Sequence, residues 1–191
     1  MPAVSTAGER AADARLGRAL RAARRARGMT LVEVAAASGL SQPFLSQLEL
    51  GRSRPSMRSL HRIAVALGTT QQELLAAAAG PSPDVLVRGA DADLVDVESG
   101  GARLLMHDES GTDITEFVGA PPEFGDYFTH DGTELLYVAR GTIEVDVRQD
   151  GHSTFSVLQA RDTLSYPGRS EHRFRQVGPD TCVVLVIHRG R

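Results

Sequence analysis

Residues 30–49, with the sequence TLVEVAAASGLSQPFLSQLE, decide the fold of the first part of the chain. Thr30 followed three residues later by Glu33 is the pattern of a capping box, which marks the start of a helix. Gly39 is suited to end that helix, because glycine readily adopts the left-handed conformation common at helix ends. Ser41 can cap a second helix directly afterwards. The stretch therefore predicts two short helices joined by a tight turn.

Each of the two predicted helices has one apolar side. Leu31 and Val34 share a face of the first helix at helical spacing, and Leu45 and Leu48 share a face of the second. If these two faces pack together, the second helix keeps an exposed side that carries Gln42, Pro43, Ser46 and Gln47. This layout is typical of a helix-turn-helix, in which the second helix enters the major groove of DNA.

The flanking sequence adds matching pieces on both sides, which are Leu20-Arg21 with Arg24, Val34-Ala35, Gly39-Leu40-Ser41, Leu45, Leu48-Glu49 with Gly51, Pro55-Ser56 and Ala66-Leu67-Gly68. With these pieces, residues 16–75 resemble the helix-turn-helix domain of the lambda-repressor and Cro type, called XRE. The resemblance implies an all-α domain of five helices in which Arg24 pairs with Glu49. One departure is Leu31, because the family often has a glutamine there that touches phosphate.

The same resemblance implies which side chains meet DNA. Gln42 is expected to read adenine through two hydrogen bonds, and Pro43 and Ser46 are expected to supply apolar and hydroxyl contacts. The remaining contacts, mostly to phosphate, are expected from Thr30, Ser41, Gln47, Arg52 and Arg54. In this family the loop that contains the two arginines lies against the DNA backbone, which favours phosphate contact over simple solvation.

Charge is divided unevenly along the chain, although the formal net charge of the 191 residues is only −3. Residues 1–80 contain 11 Arg and 5 acidic residues, whereas residues 81–191 contain 10 Arg and 19 acidic residues. A basic first part can attract phosphate even when the whole chain is acidic, because the local face decides the attraction. The distribution favours a DNA-binding head on an acidic body.

The single cysteine and the apolar runs bear on the compartment. Cys182 has no partner for an internal disulfide in this sequence, which fits a reducing environment. It lies in an apolar run, residues 182–187, and is predicted to be a packed strand residue rather than a redox sensor. No apolar run is long enough to span a bilayer. We therefore expect a cytoplasmic protein without a membrane partner.

The pattern changes after residues 80–83, Gly-Pro-Ser-Pro, where helical periodicity gives way to alternation of apolar and polar residues. Strands are predicted at residues 85–88, 94–97, 103–106, 114–118, 134–139, 142–148, 153–158, 163–166, 172–177 and 182–188. Many short strands at regular spacing indicate a sandwich or barrel. The predicted order is a flexible tail (1–8), a helix-turn-helix domain (9–79), a linker (80–84) and an all-β domain (85–191).

Two stretches of the second part resemble the paired motifs of the cupin family, a small double-stranded β-helix barrel. They are residues 130–141, HDGTELLYVARG, and residues 161–176, RDTLSYPGRSEHRFRQ, within a motif region at 125–187. In metal-binding cupins the first motif supplies His-x-His and then Glu, and the second supplies one more His. His130, Glu134 and His172 match these positions, whereas Phe128 stands at the first histidine position and cannot bind a metal.

The cupin resemblance implies a pocket for a small-molecule effector, lined by Phe128, His130, Glu134 and His172. The two histidines and the glutamate could hold a divalent metal, since three protein ligands suffice for an open site. A metal-free pocket is favoured over this alternative, so no cofactor is required. The family's usual motif glycines are replaced by Arg161 and Arg169, and its late asparagine by Gln176. The remaining histidines, expected to be ordinary surface or strand residues, are His61, His107, His152 and His188.

Together the two halves resemble the XRE-cupin regulators of bacteria, which implies a ligand-responsive transcription regulator of the cytosol or nucleoid and not an enzyme. Such a protein is expected to bind a roughly palindromic operator as a homodimer, with its two recognition helices one turn of DNA apart. Three alternatives remain open. They are a cupin metalloenzyme of the iron-dependent oxygenase type with an autoregulatory head, an antitoxin or phage-type repressor, and an architectural DNA binder.

Overall fold

The structure is a computed structural model that describes residues 7–79, 94–97, 100–107 and 111–189. The chain divides into two compact units between Glu98 and Ser99. The predicted linker (80–84), the predicted strand at 85–88 and the first six residues of the predicted tail lie outside the described residues. Among the described helices, none combines the length and the apolar composition needed to span a bilayer.

The first unit contains the five helices that the sequence predicts, followed by a short strand, β1 (Val95–Val97). The helices are α1 (Ala7–Ala26), α2 (Leu31–Ser38), α3 (Gln42–Glu49), α4 (Met57–Ala66) and α5 (Gln71–Ala79). Helix α1 begins at Ala7, two residues before the start predicted from the sequence, so the end of the predicted tail is helical. Such small differences are usual at helix ends, which fray easily.

Helices α2 and α3 begin and end as their capping residues predict. The Thr30 hydroxyl accepts a hydrogen bond from the backbone N–H of Glu33 at 3.2 Å, and the Glu33 carboxylate accepts one from the backbone N–H of Thr30 at 2.7 Å. Gly39 ends α2 in the left-handed conformation with a φ of 64°. The Ser41 hydroxyl accepts from the N–H of Phe44 at 3.3 Å and starts α3. These caps fix the turn between the two helices.

The core of the first unit lies behind α3. Leu45 and Leu48 of α3 are 3% and 2% exposed, and Val34 of α2 is 2% exposed. Helix α1 crosses the end of α3 at Gly17, where an added Cβ would stand 2.5 Å from the carbonyl oxygen of Leu48. This close approach positions α3 from behind and leaves its opposite side free to face a partner.

In its described residues the second unit has eight strands, which form two antiparallel sheets. Its strands are β2 (Gly100–His107), β3 (Thr112–Val118), β4 (Thr133–Arg140), β5 (Thr142–Gln149), β6 (His152–Gln159), β7 (Thr163–Tyr166), β8 (Glu171–Gln176) and β9 (Val183–Arg189). In the larger sheet these strands follow the order β2-β3-β9-β4-β7, and the smaller sheet has the order β6-β5-β8. All nine predicted strands that fall in described parts of the chain are confirmed.

One apolar core joins the two sheets of the second unit. Leu136 and Val138 of β4 pack in it with Ile143 and Val145 of β5, and all four side chains are fully buried. Cys182 is also fully buried, as predicted, and burial raises the pKa of its thiol. A thiol with a raised pKa is a poor nucleophile, so Cys182 acts as a packing residue.

A row of polar side chains crosses the larger sheet on its inner face. The strand register places Asp113 of β3 opposite His188 of β9, His188 opposite Glu134 of β4, and Glu134 opposite Tyr166 of β7. All four side chains are between 3% and 7% exposed. We call these four residues the polar row. Directly opposed residues lie on the same face of a sheet, so the row directs four polar groups toward the interior.

Candidate DNA-binding surface and imidazole–carboxylate cluster

The outer side of α3 carries the side chains that the sequence predicts for base contact. Gln42, Pro43 and Gln47 are exposed, and Ser46 is half-buried. Because the inner side of α3 is fixed in the core, these side chains are held on a rigid element. We call Gln42, Pro43, Ser46 and Gln47 the α3 outer edge.

The other predicted DNA-contacting residues differ in whether their polar groups already bind other groups of the protein. Arg52 follows α3 and is exposed. Arg54 is also exposed, but its Nε lies 3.1 Å from Oδ2 of Asp13, so part of its guanidinium is engaged within the protein. Thr30 and Ser41 are exposed caps whose hydroxyl groups accept backbone hydrogen bonds. Arg52 is therefore the better placed of the two arginines for a phosphate.

The predicted pair between Arg24 and Glu49 is confirmed. Arg24 donates from Nε to Oε1 of Glu49 at 2.6 Å and from Nη2 to Oε2 at 2.9 Å. Its third nitrogen donates to the carbonyl oxygen of Met29 at 2.7 Å. The hydrogen bond to Glu49 raises the pKa of Arg24. This two-pronged pair ties α1 to the end of α3 and to the segment that enters α2.

In the second unit, His130, Glu134 and His172 meet as the sequence predicts. Their ligand atoms lie within 4.8 Å of one another. His130 Nε2 is 2.7 Å from Glu134 Oε2, and His172 Nε2 is 3.6 Å from Glu134 Oε1. We call these three residues the imidazole–carboxylate cluster. The loop before β4 supplies His130, β4 itself supplies Glu134, and β8 of the smaller sheet supplies His172.

Neighbouring groups fix the protonation of the cluster. His172 Nδ1 lies 3.1 Å from the carbonyl oxygen of Ser170, which can only accept, so Nδ1 carries the proton and Nε2 faces Glu134. Burial lowers the pKa of His172, which favours the neutral ring. Burial alone would raise the pKa of Glu134, but the hydrogen bond from His130 holds it below its ordinary value. The Glu134 carboxylate is therefore ionised beside the neutral ring of His172.

Tyr166, the last residue of β7, also belongs to the site. Its hydroxyl donates to Glu134 Oε1 at 2.5 Å. Burial and the nearby charge of Glu134 raise the pKa of Tyr166 well above its ordinary value, so the hydroxyl stays protonated and keeps donating. Tyr166 thereby fixes one oxygen of the carboxylate.

His188 also lies in this region, within β9, where a surface or strand residue was expected. It is 6% exposed and its ring contacts that of His130 at a centroid distance of 4.8 Å and an angle of 88°, a contact that the sequence did not predict. The signal was present in the alternation that runs from Cys182, just before β9, through Val184, Val186 and His188, all of which are buried. What the sequence could not show was the partner opposite His188 in the sheet.

Phe128 lies beside the cluster and contributes no donor atom. Its backbone forms a β-bridge with His172, and the two rings are 6.3 Å apart at an angle of 32°. It can therefore line the site but cannot bind an ion.

The donor set of the cluster suits a transition metal. Imidazole nitrogens and a carboxylate bind divalent first-row ions, whereas magnesium and calcium prefer oxygen ligands alone. Such ions bond these atoms at about 2.0–2.2 Å, which the spacing of the three groups permits with small movements. His130, Glu134 and His172 would hold the ion, which would supply a Lewis-acidic coordination site. The cluster therefore fits a metal.

Comparison with known proteins agrees with both halves of this description. A helix-turn-helix domain family matches residues 15–78, and a cupin domain family matches residues 117–188. The fold and the two sites thus define a helix-turn-helix protein with a cupin domain.

Two relatives share the helical part of the chain. The uncharacterized HTH-type transcriptional regulator y4dJ of Sinorhizobium fredii is 48% identical over 52 residues, which are 27% of this chain and 68% of the relative. The HTH-type transcriptional regulator DdrOP3 of Deinococcus deserti is 43% identical over 56 residues, which are 29% of this chain and 43% of the relative. The chain therefore matches less than half the length of DdrOP3.

A solved structure extends the similarity of fold to nearly the whole chain. The HTH_3 family transcriptional regulator from Vibrio cholerae has a TM-score of 0.63 and 19% identity, covering 94% of this chain and 97% of its own. Because the chain is 48% identical to y4dJ over 68% of that relative, this protein belongs to the HTH-type transcriptional regulators. It is a DNA-binding regulator in which a cupin domain follows the helix-turn-helix domain.

Proposed function

We propose that this regulator recognises a specific operator through the α3 outer edge and that its cupin domain adjusts operator affinity in response to a small molecule. The observation that carries the first part is the rigid, capped α3, which is buried on one side and presents Gln42, Pro43 and Gln47 on the other. A helix held in this way can enter the major groove without losing further conformational freedom.

The contacts divide into base readout and phosphate binding. Gln42, in the first turn of α3, is the candidate for the paired hydrogen bonds that distinguish adenine. Pro43 and Ser46 would touch neighbouring base edges. Arg52 would bind phosphate, and phosphate contacts position the protein without reading sequence. Thr30, Ser41, Gln47 and Arg54 would add backbone contacts, with Arg54 first giving up part of its pairing with Asp13.

The proposed effector site is the imidazole–carboxylate cluster with Phe128 beside it. Its buried polar groups can discriminate a ligand by hydrogen bonding or coordination, because an unsatisfied group in such a site is costly. The effector would bind one state of the regulator more tightly than the other, and such coupling is typically about 1–3 kcal/mol. We further propose that the regulator acts as a homodimer on two half-sites, within the cytoplasm where its DNA lies.

A role in regulation rather than in catalysis is supported by the two relatives, which are named as transcriptional regulators. Turnover of a small molecule by the full-length chain, with or without added metal, would favour the metalloenzyme alternative. A protein partner bound tightly by the second unit would favour the antitoxin or phage-type repressor.

Two substitutions test the proposed separation of base readout from phosphate binding. With an operator selected from random duplexes, Gln42→Ala should cost about 1–3 kcal/mol and relax the preference at one base pair. Arg52→Ala should instead weaken binding to all duplexes alike and reduce the slope of log affinity against log salt by about 1. The matched control is Gln159→Ala, an exposed glutamine of the second unit, which should change neither quantity. Equal losses of both kinds from Gln42→Ala and Arg52→Ala would contradict the proposed roles.

A further inference from the structure

His188 is the most unusual buried side chain of the second unit. It lies near the end of β9, in register with Asp113 on one side and Glu134 on the other. Its side chain is 6% exposed and therefore points inward with the rest of the polar row. A histidine in this place stands next to the carboxylate that organises the imidazole–carboxylate cluster.

Neither ring nitrogen of His188 has a hydrogen-bond partner within the described part of the chain. The nearest carboxylate oxygen, Oδ2 of Asp113, is 4.0 Å from Nδ1. The Nδ1 atom of His130 is in the same condition, so three buried imidazole nitrogens in contacting rings lack hydrogen-bond partners among the described residues. Buried polar atoms are nearly always satisfied in native proteins, and exceptions commonly mark an ion, a water molecule or a functional role.

The surroundings distinguish this histidine from one that merely packs in a core. An ordinary core histidine satisfies at least one nitrogen, as His172 does with the carbonyl oxygen of Ser170. His188 instead contacts the ring of His130, which itself contacts Glu134 at 2.7 Å. Asp113 stands on the far side of His188, but its Oδ1 is 2.6 Å from His107 Nδ1 and its Oδ2 is 4.0 Å from His188 Nδ1, so it does not satisfy the ring of His188. The unsatisfied nitrogens therefore favour a metal site over the metal-free pocket that the sequence suggests.

We propose that His188 is a fourth ligand of a divalent transition-metal site formed with His130, Glu134 and His172. Three imidazoles and one carboxylate make a donor set for ions such as zinc, iron, cobalt or nickel. His188 stands outside the group of three residues whose ligand atoms lie within 4.8 Å of one another, so its ring would move toward the ion, which would bind one of its two unsatisfied nitrogens. The inference deepens the proposed function, because it names a metal ion as a ligand of the proposed effector site. Only the link between that ion and operator binding rests on the proposed function.

Metal binding is measured on the full-length protein without DNA, so its outcome is independent of operator binding. The chain is stripped with a chelator and titrated with Co²⁺, whose visible absorption depends on the number and type of its ligands. We expect one Co²⁺ per chain, with no comparable uptake of Mg²⁺. His188→Gln should weaken Co²⁺ binding by at least about tenfold and alter the absorption spectrum. The matched control is His152→Gln, an exposed histidine of the same unit, which should leave both unchanged.

Three results would overturn the proposal. They are failure of the wild-type chain to bind Co²⁺, unchanged binding by His188→Gln, and weaker binding by that variant with an unchanged spectrum, which would make His188 a positioning residue only. If His188→Gln does not fold, a crystal structure of the wild-type chain with Zn²⁺ decides the question. The proposal requires the zinc peak at about 2.0–2.1 Å from a nitrogen of His188. A zinc ion bound without His188 would refute it.

Discussion

The two units place their functional groups in opposite ways. In the helical unit the candidate DNA-contacting residues are mostly exposed and come from one short stretch of sequence, on or beside the capped helix α3. In the strand unit the candidate ligand-binding residues are buried or half-buried and come from a loop and several strands. In the helical unit the Arg24–Glu49 pair fixes the end of α3. In the strand unit, by contrast, buried imidazole nitrogens of His130 and His188 have no hydrogen-bond partner among the described residues. This difference fits the proposed roles, in which α3 binds DNA as a rigid element and the strand unit is stabilised by a bound ligand.

The largest effect is expected from Arg24→Ala, which breaks the pair that holds α3. The two partners are only 14% and 11% exposed, so removing one leaves Glu49 without compensation, and we expect a loss of about 3 kcal/mol. Unfolding is followed through the helical circular dichroism signal. Arg25→Ala removes a neighbouring exposed arginine and should cost less than about 0.5 kcal/mol. Similar losses from both variants would show that the pair does not hold the helical unit.

The next effect concerns the crossing of α1 and α3. Gly17→Ala would place a Cβ 2.5 Å from the carbonyl oxygen of Leu48 and 2.9 Å from that of Glu49, and backbone atoms cannot move aside easily. Overpacking lowers the free energy of unfolding by about 1–3 kcal/mol, whereas the higher helix propensity of alanine raises it by at most about 1 kcal/mol. We therefore expect a lower unfolding midpoint of the helical unit and weaker DNA binding.

The matched control for this crossing is Gly125→Ala in the strand unit, where an added Cβ meets no described heavy atom within 4 Å. All three tyrosines of the chain lie in the strand unit, so their near-ultraviolet signal follows that unit separately. Gly125→Ala should leave the tyrosine transition in place. A Gly17→Ala protein with unchanged helical unfolding would contradict the close crossing.

The smallest effect is a dependence of stability on pH that is confined to the strand unit. Burial lowers the pKa of His172 and of His188 below the ordinary value of 6.5. As pH falls below about 6.5, the unfolded chain therefore takes up protons that the folded unit refuses, so the folded unit loses stability. Glu134, whose pKa is lowered below 4.5, adds a loss in the same direction at lower pH.

In chelator-treated protein, the tyrosine transition should therefore move to lower temperature between pH 7.5 and pH 5.5, and the helical transition should move less. His188→Gln should flatten the dependence, whereas His152→Gln should not. If the temperatures of both transitions fell equally steeply with pH, the pH dependence would not be confined to the strand unit and the prediction would be contradicted.

The success of sequence-based prediction also differs between the units. The capping box at Thr30, the left-handed Gly39 and the Ser41 cap are local signals, and the structure confirms them together with the five helices. The strands of the second unit follow from alternation along the chain, and the eight that lie in its described residues are confirmed. His130, Glu134 and His172 were brought together by resemblance to paired motifs rather than by any local rule.

His188 and Tyr166 escaped prediction for a physical reason. Alternation along β9 and β7 shows which side of a strand is buried, but it cannot show which residue of another strand stands opposite. The register that joins Asp113, His188, Glu134 and Tyr166 is set by pairing between segments far apart in sequence. The polar row therefore becomes visible only in three dimensions.

The most direct test of the account is the affinity of the wild-type full-length chain for duplex DNA from its own promoter compared with a scrambled duplex of equal length. Fluorescence anisotropy at moderate salt measures the affinity for each duplex, once with and once without an extract of cell metabolites. The account predicts a preference of at least about a thousandfold in one of the two conditions, the usual lower limit for specific recognition. Equal affinity for both duplexes in both conditions would contradict sequence-specific reading by α3.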